Sequence, residues 1–264
     1  MVRWSLAATV VITALGLASS APGITSNGTY DANTHPNVGA MVYFSPSRQE
    51  YRIICSGSLI APQVFLTASH CTAALEAAGI SDVWVTFDPT FTQTSLRIHG
   101  TMHTNPLYSQ RQGDPEDVAV ITLDSPVGAT PVQLPTLGLL DSMKEAGTLN
   151  GTFFTSVGYG SQEAMNGPGG QTFPFLGQRW YASGEFNALN KAWLRISQNQ
   201  ATGGGGTCYG DSGGAEFLGA GASETPVQVS ITITGDTPCN ATNVDHRLDT
   251  PQARAFLDDY VTLP

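Results

Sequence analysis

The sequence predicts an all-β fold, either a sandwich or barrels, with a short helix at its C-terminal end. Short runs rich in β-branched or aromatic residues recur along the chain, and Pro, Gly, Ser and Asn separate them. Apolar residues make up 41% of the 264 residues, which is enough for a substantial core, and 29 Gly and 16 Pro supply turns. The predicted strands are Val38–Phe44, Arg52–Ile60, Gln63–Ala68, Asp82–Phe87, Ser95–Gly100, Asp117–Leu123, Thr152–Gly158, Gln178–Ala182, Trp193–Ser197, Gly213–Phe217 and Val227–Thr234.

Residues 1–23 have the pattern of a secretory signal. Arg3 supplies the positive start, and Leu6–Leu17 is an uncharged, mostly apolar run, shorter than the roughly 18–20 residues that span a membrane. Small residues follow, so cleavage fits either after Ser20 or after Gly23. We therefore expect the mature protein to be exported, with no attachment to a membrane once the signal is removed.

Two segments have helical patterns. Thr72–Ala78 is short and rich in Ala. Near the C-terminus, Thr250 is a suitable N-cap and Pro251 stands at the first helical position, so we expect a helix over about 250–261. Its apolar face should pack on the rest of the fold.

The balance of charges excludes one class of partner. Eleven Lys and Arg stand against 21 Asp and Glu, giving a formal net charge of −10, and no basic cluster is present. Binding to nucleic acid needs a surface of Lys and Arg, so the sequence argues against it. No spacing of Cys and His suggests zinc, and we expect neither a metal nor a cofactor.

Export makes the four cysteines candidates for disulfides, and four cysteines allow three pairings. Asn27, Asn150 and Asn240 each begin a sequon for N-glycosylation, whose use depends on the host.

Three separate segments carry the residue types of a hydrolytic triad. They are Leu66–Cys71 around His70, Asp117–Ile121, and Cys208–Gly214 around Ser212. A serine hydroxyl is a weak nucleophile, so it needs a neighbouring base, and that base needs a carboxylate to orient it. His70, Asp117 and Ser212 supply these types in the order known from one of the unrelated triad folds.

The glycines that flank Ser212 also favour a specific arrangement of the backbone. They permit the positive φ angles of a tight turn. Such a turn can aim the N–H groups of Gly210 and Ser212 at one point, where they would form an oxyanion hole.

These segments resemble those of the chymotrypsin/trypsin-like serine peptidases. TASHC around His70, DVAVITL from Asp117 and CYGDSGG around Ser212 are similar to three family motifs, and CSGSLI from Cys55 is similar to the strand before the histidine. The resemblance extends from about Ile24 to the end of the chain. It implies two six-stranded antiparallel β-barrels with a C-terminal helix, and an active cleft between the barrels. It also implies pairing of Cys55 with Cys71 and of Cys208 with Cys239.

The resemblance assigns further roles near Ser212. In the family, the residue at the position of Asp211 pairs with an N-terminal amine freed by cleavage, so we expect Ile24 to become the N-terminus and pair with Asp211. Gly206 takes the position at the base of the specificity pocket, where an acidic residue would favour Lys or Arg, and Gly235 and Asn243 take positions on its walls. Thr234 stands where the family usually has tryptophan, a departure that weakens inference about how the substrate backbone docks.

Two alternatives belong to other functional classes. GDSGG also satisfies G-x-S-x-G, the nucleophile motif of α/β-hydrolases, but the chain between Ser212 and His246 is too short for the rest of that fold. The second alternative is a catalytically silent binding or adhesion protein of the chymotrypsin fold, although such proteins usually lose a triad residue.

The sequence thus leads to one set of expectations. Residues 24–264 form a single peptidase domain, with a first barrel over about 24–124, a connection over about 125–135 and a second barrel over about 136–249. The connection carries no charge and has two Pro-Val pairs. The protein is expected to be a secreted, monomeric serine endopeptidase that cleaves protein or peptide substrates without preferring Lys or Arg.

Overall fold

The computed structural model describes residues 24, 25 and 27–264, and these form two closed antiparallel β-barrels with three α-helices. The predicted signal segment, residues 1–23, lies outside the described residues. Within the described part of the chain, no helix is both long and apolar enough to cross a membrane.

The first barrel is a six-stranded closed sheet in the order β2-β3-β4-β7-β6-β5. Apolar side chains such as Met41, Leu59, Phe65 and Ile121 are fully buried, because alternate residues of each strand face the barrel interior. Helix α1, Ser69–Ala77, follows β4 directly. The strands are β2 (Val38–Ser45), β3 (Glu50–Ala61), β4 (Val64–Thr67), β5 (Val83–Thr86), β6 (Ile98–Thr104) and β7 (Ala119–Leu123), after a short N-terminal β1 (Thr29–Tyr30).

The second barrel has the order β11-β12-β15-β14-β13-β8 and closes through pairing of β8 with β11. Strand β1 adds to β11 at its outer edge, so the N-terminal segment attaches to the second barrel. The elements are α2 (Leu139–Glu145), β8 (Phe153–Gly158), the hairpin β9–β10 (Met165–Gly167 and Gly170–Thr172), β11 (Trp180–Leu189), β12 (Trp193–Ser197), β13 (Ala215–Leu218), β14 (Gln228–Gly235) and β15 (Thr242–Arg247).

The expected all-β fold of two six-stranded barrels with a C-terminal helix is confirmed. Helix α3 spans Pro251–Leu257, and the side chain of Thr250 caps it by accepting a hydrogen bond from the N–H of Ala253 at 3.2 Å. The helix is shorter than the predicted 250–261, because the chain turns after Leu257, whose carbonyl accepts from the N–H of Tyr260.

Other boundaries also differ from the prediction. The strand expected at Ser95–Gly100 begins at Ile98, because Ser95 belongs to a turn in which its hydroxyl accepts from the N–H of Thr92. Helix α1 begins at Ser69 instead of Thr72. Helix α2 and strand β15 were not predicted.

A buried cluster of charged side chains joins the N-terminal segment to both barrels. Arg179, just before β11, is fully buried and donates from Nε to Asp31 at 2.6 Å. It also donates from Nη1 to the carbonyls of Val38 and Phe87 in the first barrel.

His35 belongs to the same cluster. It contacts Asp31 and, through Nε2, Glu224 at 2.9 Å, and its ring stacks on Phe217. These contacts join the N-terminal segment to both barrels at the seam between them.

Candidate active site

His70 and Asp117 are brought together by the pairing of β4 with β7. His70 lies in the first turn of α1, just after β4, and Asp117 lies two residues before β7, whose Ala119 is paired with Thr67. The buried carboxylate of Asp117 accepts the backbone N–H of His70 at Oδ1 and contacts Nδ1 of the ring at Oδ2, both at 2.8 Å. An ionised carboxylate only accepts hydrogen bonds, so Nδ1 carries the proton and Nε2 keeps its lone pair. The ring is thus oriented as a base.

Ser212 lies in a tight loop that packs against the segment leading to His70. Its carbonyl accepts a hydrogen bond from the N–H of Ser56 in β3 at 2.9 Å. The next residue, Gly213, has a φ of +79°, and a side chain there would overlap the hydroxyl of Thr67 and lie 2.8 Å from the N of Ala68. The described residues include no hydrogen bond between Oγ of Ser212 and Nε2 of His70, so this third link of the triad stays a prediction.

The backbone around Gly210 leaves two N–H groups free to bind an anion. Gly210 has a φ of +97°, and its carbonyl accepts from Oγ of Ser56 at 3.0 Å. Neither the N–H of Gly210 nor that of Ser212 has an acceptor within the described part of the chain. Such unpaired donors beside a nucleophile are what an oxyanion hole requires.

Asp211 is fully buried without a cationic partner among the described side chains. Its carboxylate accepts the N–H groups of Gly160 at 2.7 Å and Cys208 at 2.9 Å. Burial raises the pKa of Asp211 to about 7, although these two donors act in the opposite direction. Ile24 is buried, and its neighbour Thr25 forms a β-bridge with Gly206. In this chain the nitrogen of Ile24 is part of the peptide bond to Gly23, so it is uncharged.

A cavity opens beside Ser212 between the nucleophile loop and β14. Gly235 lines it together with Thr207, Cys208, Tyr209, Ser212, Thr232, Ile233, Thr234, Asp236, Thr237 and Cys239. Gly206 and Asn243, the other two predicted pocket residues, are buried behind this lining.

Several polar residues behind the cavity were missed by reasoning from the sequence. Gln198 fills the space beside Gly206, and Nδ2 of Asn243 donates to the buried carboxylate of Glu216 at 2.8 Å. No local pattern marks Gln198 or Glu216, because their positions depend on the pairing of strands that are distant in the sequence.

The structure contains the disulfides Cys55–Cys71 and Cys208–Cys239, the pairing that the resemblance implies. The first lies beside His70, and the second joins the two sides of the cavity. Although Cys55, Cys71 and His70 lie close enough together for a metal, both sulfurs are bonded to each other and no thiolate is left to bind one.

Comparisons with known proteins agree with this geometry. The family model described as Trypsin matches residues 26–253, which contain all three predicted triad residues. The chain is also similar to a curated protein named Trypsin from Saccharopolyspora erythraea, at 26% identity over 195 residues, covering 71% of this chain and 79% of the relative. The chain therefore belongs to the trypsin family of serine peptidases with the chymotrypsin fold.

Proposed function

We propose that this chain is a secreted serine endopeptidase that cleaves peptide bonds through His70, Asp117 and Ser212. The observation that carries the proposal is that Asp117 contacts both the backbone N–H and Nδ1 of His70, which leaves Nε2 of the ring without a partner among the described residues. The side chain of Asp117 is buried and that of His70 is partly exposed, so the ring is held from the inside of the protein while a substrate can still reach it.

The reaction follows from these positions. Ser212 Oγ attacks the substrate carbonyl while Nε2 of His70 takes its proton. The N–H groups of Gly210 and Ser212 stabilise the negative charge that develops on the carbonyl oxygen. His70 then gives its proton to the leaving amine, and water releases the acyl group by the same sequence of steps.

Activation by a new N-terminus is part of the proposal. Cleavage after Gly23 would place a charged amine on Ile24, which is already buried and whose neighbour Thr25 forms a β-bridge with Gly206. An uncompensated buried charge is costly, so the amine would supply the cationic partner that Asp211 does not have among the described side chains. N-terminal sequencing of the active protein tests this, and a start far from Ile24 would contradict it.

We also propose that the protein is exported and that it is monomeric. The pattern of residues 1–23 and the two disulfides both fit an extracellular protein. Light scattering on the purified protein measures its mass, and a dimer would contradict the monomer.

The test of the catalytic role compares Ser212→Ala with Ser81→Ala, an exposed serine far from the cleft. A serine-directed fluorophosphonate should label the wild type and Ser81→Ala, but not Ser212→Ala, whose peptide hydrolysis should fall by roughly 10⁶-fold. Absence of label on the wild type, with both disulfides formed and Ile24 as its N-terminus, would contradict the proposal and favour the catalytically silent binding protein.

A further inference from the structure

Two hydrogen bonds hold the walls of the cavity beside Ser212: one, from Thr207 to the buried Asn243, lies behind its inner wall, and the other, from Tyr209 to Thr237, joins two lining residues. From these we infer that the pocket accepts a small, uncharged side chain, such as that of Ala, Val, Ser or Thr, from the residue before the scissile bond. This inference rests on the proposed function, and it names the substrate class of the same site.

Thr207 forms the inner wall of the cavity, and Asn243 is buried behind it. The hydroxyl of Thr207 donates to Oδ1 of Asn243 at 2.6 Å, and Asn243 is fully buried. Behind this bond, the side chain of Gln198 fills the volume beside Gly206, since a Cβ on Gly206 would lie 2.6 Å from Cγ of Gln198. A long side chain therefore meets Thr207 before it can reach the level of Gly206.

Glu216 holds this inner wall in one orientation. Its buried carboxylate accepts from Nδ2 of Asn243 at 2.8 Å, from the Thr232 hydroxyl at 3.0 Å and from the Ser156 hydroxyl at 2.6 Å. Because a carboxylate takes the amide nitrogen, Oδ1 of Asn243 must point at Thr207. Asn243 thus has both ends of its amide engaged, and it cannot swing aside without leaving buried polar groups unpaired.

None of the residues that line the cavity offers a free carboxylate to a positively charged substrate side chain, and the carboxyl of Asp245, which has no hydrogen-bond partner among the described residues, is fully buried outside that lining. Asp236 lines the cavity, but its oxygens accept the N–H groups of Asn240, Ala241 and Thr242. Glu216 lies behind Asn243 and Thr232, and its oxygens are occupied. Burying an unpaired ammonium or guanidinium here would be unfavourable, so the pocket selects uncharged side chains.

The mouth of the cavity is narrowed by Tyr209. Its hydroxyl donates to the carbonyl of Thr237 at 3.1 Å, and both residues line the cavity from opposite sides. Tyr209 is 52% exposed, which places this bond at the solvent end. Phe173 packs edge-on against its ring with centroids 5.0 Å apart. The neighbouring Cys208–Cys239 disulfide holds the same two segments together.

The experiment measures how fast the active protein reacts with peptide phosphonates that differ only in the side chain at the reactive position. Wild type should react about 10²-fold faster with the Ala and Val compounds than with Phe, Lys and Arg compounds, since misfit in a pocket is worth about that much. Asn243→Gly should shift this ratio at least about tenfold toward Phe. Asn243→Ser, which keeps a donor for Glu216, serves the same purpose if the glycine variant does not fold. Thr207→Val keeps the volume of the inner wall, and it should retain the preference for small side chains.

The outcomes separate the two proposals. Faster reaction of wild type with Phe, Lys or Arg compounds would overturn the pocket inference alone, as would an unchanged ratio in a folded Asn243 variant. Reaction with none of the compounds, nor with a small fluorophosphonate, would instead contradict the proposed function and the inference together.

Discussion

Asp117 accepts two hydrogen bonds from His70. Replacing it by asparagine keeps the shape of the side chain and removes its negative charge, so the role of the charge can be tested by itself. In Asp117→Asn, the backbone N–H of His70 would still require the side-chain oxygen, so the new NH₂ group would face Nδ1. Nδ1 would then have to accept, which moves the ring proton to Nε2 and removes the base. We expect kcat at neutral pH to fall by about 10⁴-fold with the fold intact. Peptide hydrolysis and circular dichroism measure the two effects.

The matched control is Asp124→Asn. Asp124 contacts Nδ1 of His99 at the same distance, 2.8 Å, but both residues are exposed and far from Ser212. This variant should keep wild-type activity. A loss of less than tenfold in Asp117→Asn would show that the carboxylate does not set the tautomer of His70.

Gly213 offers a second test at the level of one residue. Its backbone is in the left-handed region, and a Cβ would lie 2.6 Å from the carbonyl oxygen of Ser56 and overlap Thr67. In Gly213→Ala we expect Ser212 to move away from His70, with a loss of about 10²-fold or more in kcat/KM. Gly128→Ala, where a Cβ meets open space outside the left-handed region, should change nothing. Equal activity in the two variants would show that the nucleophile loop tolerates displacement.

The candidate triad residues have a local sequence signal that the residues behind the cavity lack. His70, Asp117 and Ser212 stand in short motifs whose spacing limits the choice of reaction. By contrast, nothing local to Gln198 or Glu216 shows that these side chains lie under the cavity. Their positions depend on pairing of β12, β13, β14 and β15, which brings distant residues side by side.

Among the secondary-structure elements, those with a strong local signal were predicted and those held by distant contacts were not. Strand β15 buries Asn243, Asp245 and Arg247 instead of apolar side chains, so its alternation of burial is invisible in the sequence. Gly138, the residue before α2, is in the left-handed region, and the carboxylate of the distant Asp249 accepts the N–H of Leu140 in the first turn. Neither feature is a local start signal.

Helix α3 shows what a local signal contributes. The Thr250 oxygen accepts one of the N–H groups that the first turn leaves unpaired, and Pro251 needs no partner. We expect Thr250→Ala to lower the free energy of unfolding by about 1 kcal/mol. Thr250→Ser keeps the accepting oxygen, and it should retain most of that stability. Urea unfolding measures both, and equal losses in the two variants would assign the effect to packing of the methyl group.

At the scale of the whole molecule, the charged cluster at the seam couples the stability of the fold to pH. Burial alone would lower the pKa of His35, but hydrogen bonds to Asp31 and Glu224, and their charges, outweigh it and raise the pKa to about 9. Burial acts to raise the pKa of the Asp31 and Glu224 carboxyls. Hydrogen bonding to His35 outweighs burial and lowers the pKa of each below its usual value, and Arg179 lowers that of Asp31 further. The cluster is therefore stable as ion pairs at neutral pH.

The sign of the pH dependence follows from His35. Its pKa is higher in the folded protein than the value of about 6.5 in an unfolded chain. Its contribution, on the order of 3 kcal/mol, is thus complete below about pH 6.5 and is lost as the pH rises through about 9. We expect the free energy of unfolding of wild type to fall between these pH values by more than that of His35→Asn. His99→Asn, which removes an exposed imidazole, should keep the wild-type dependence. Urea unfolding measures these free energies at each pH, and all variants carry Ser212→Ala so that self-digestion is avoided. Parallel curves with and without His35→Asn would show that this histidine is not the charged link between the barrels.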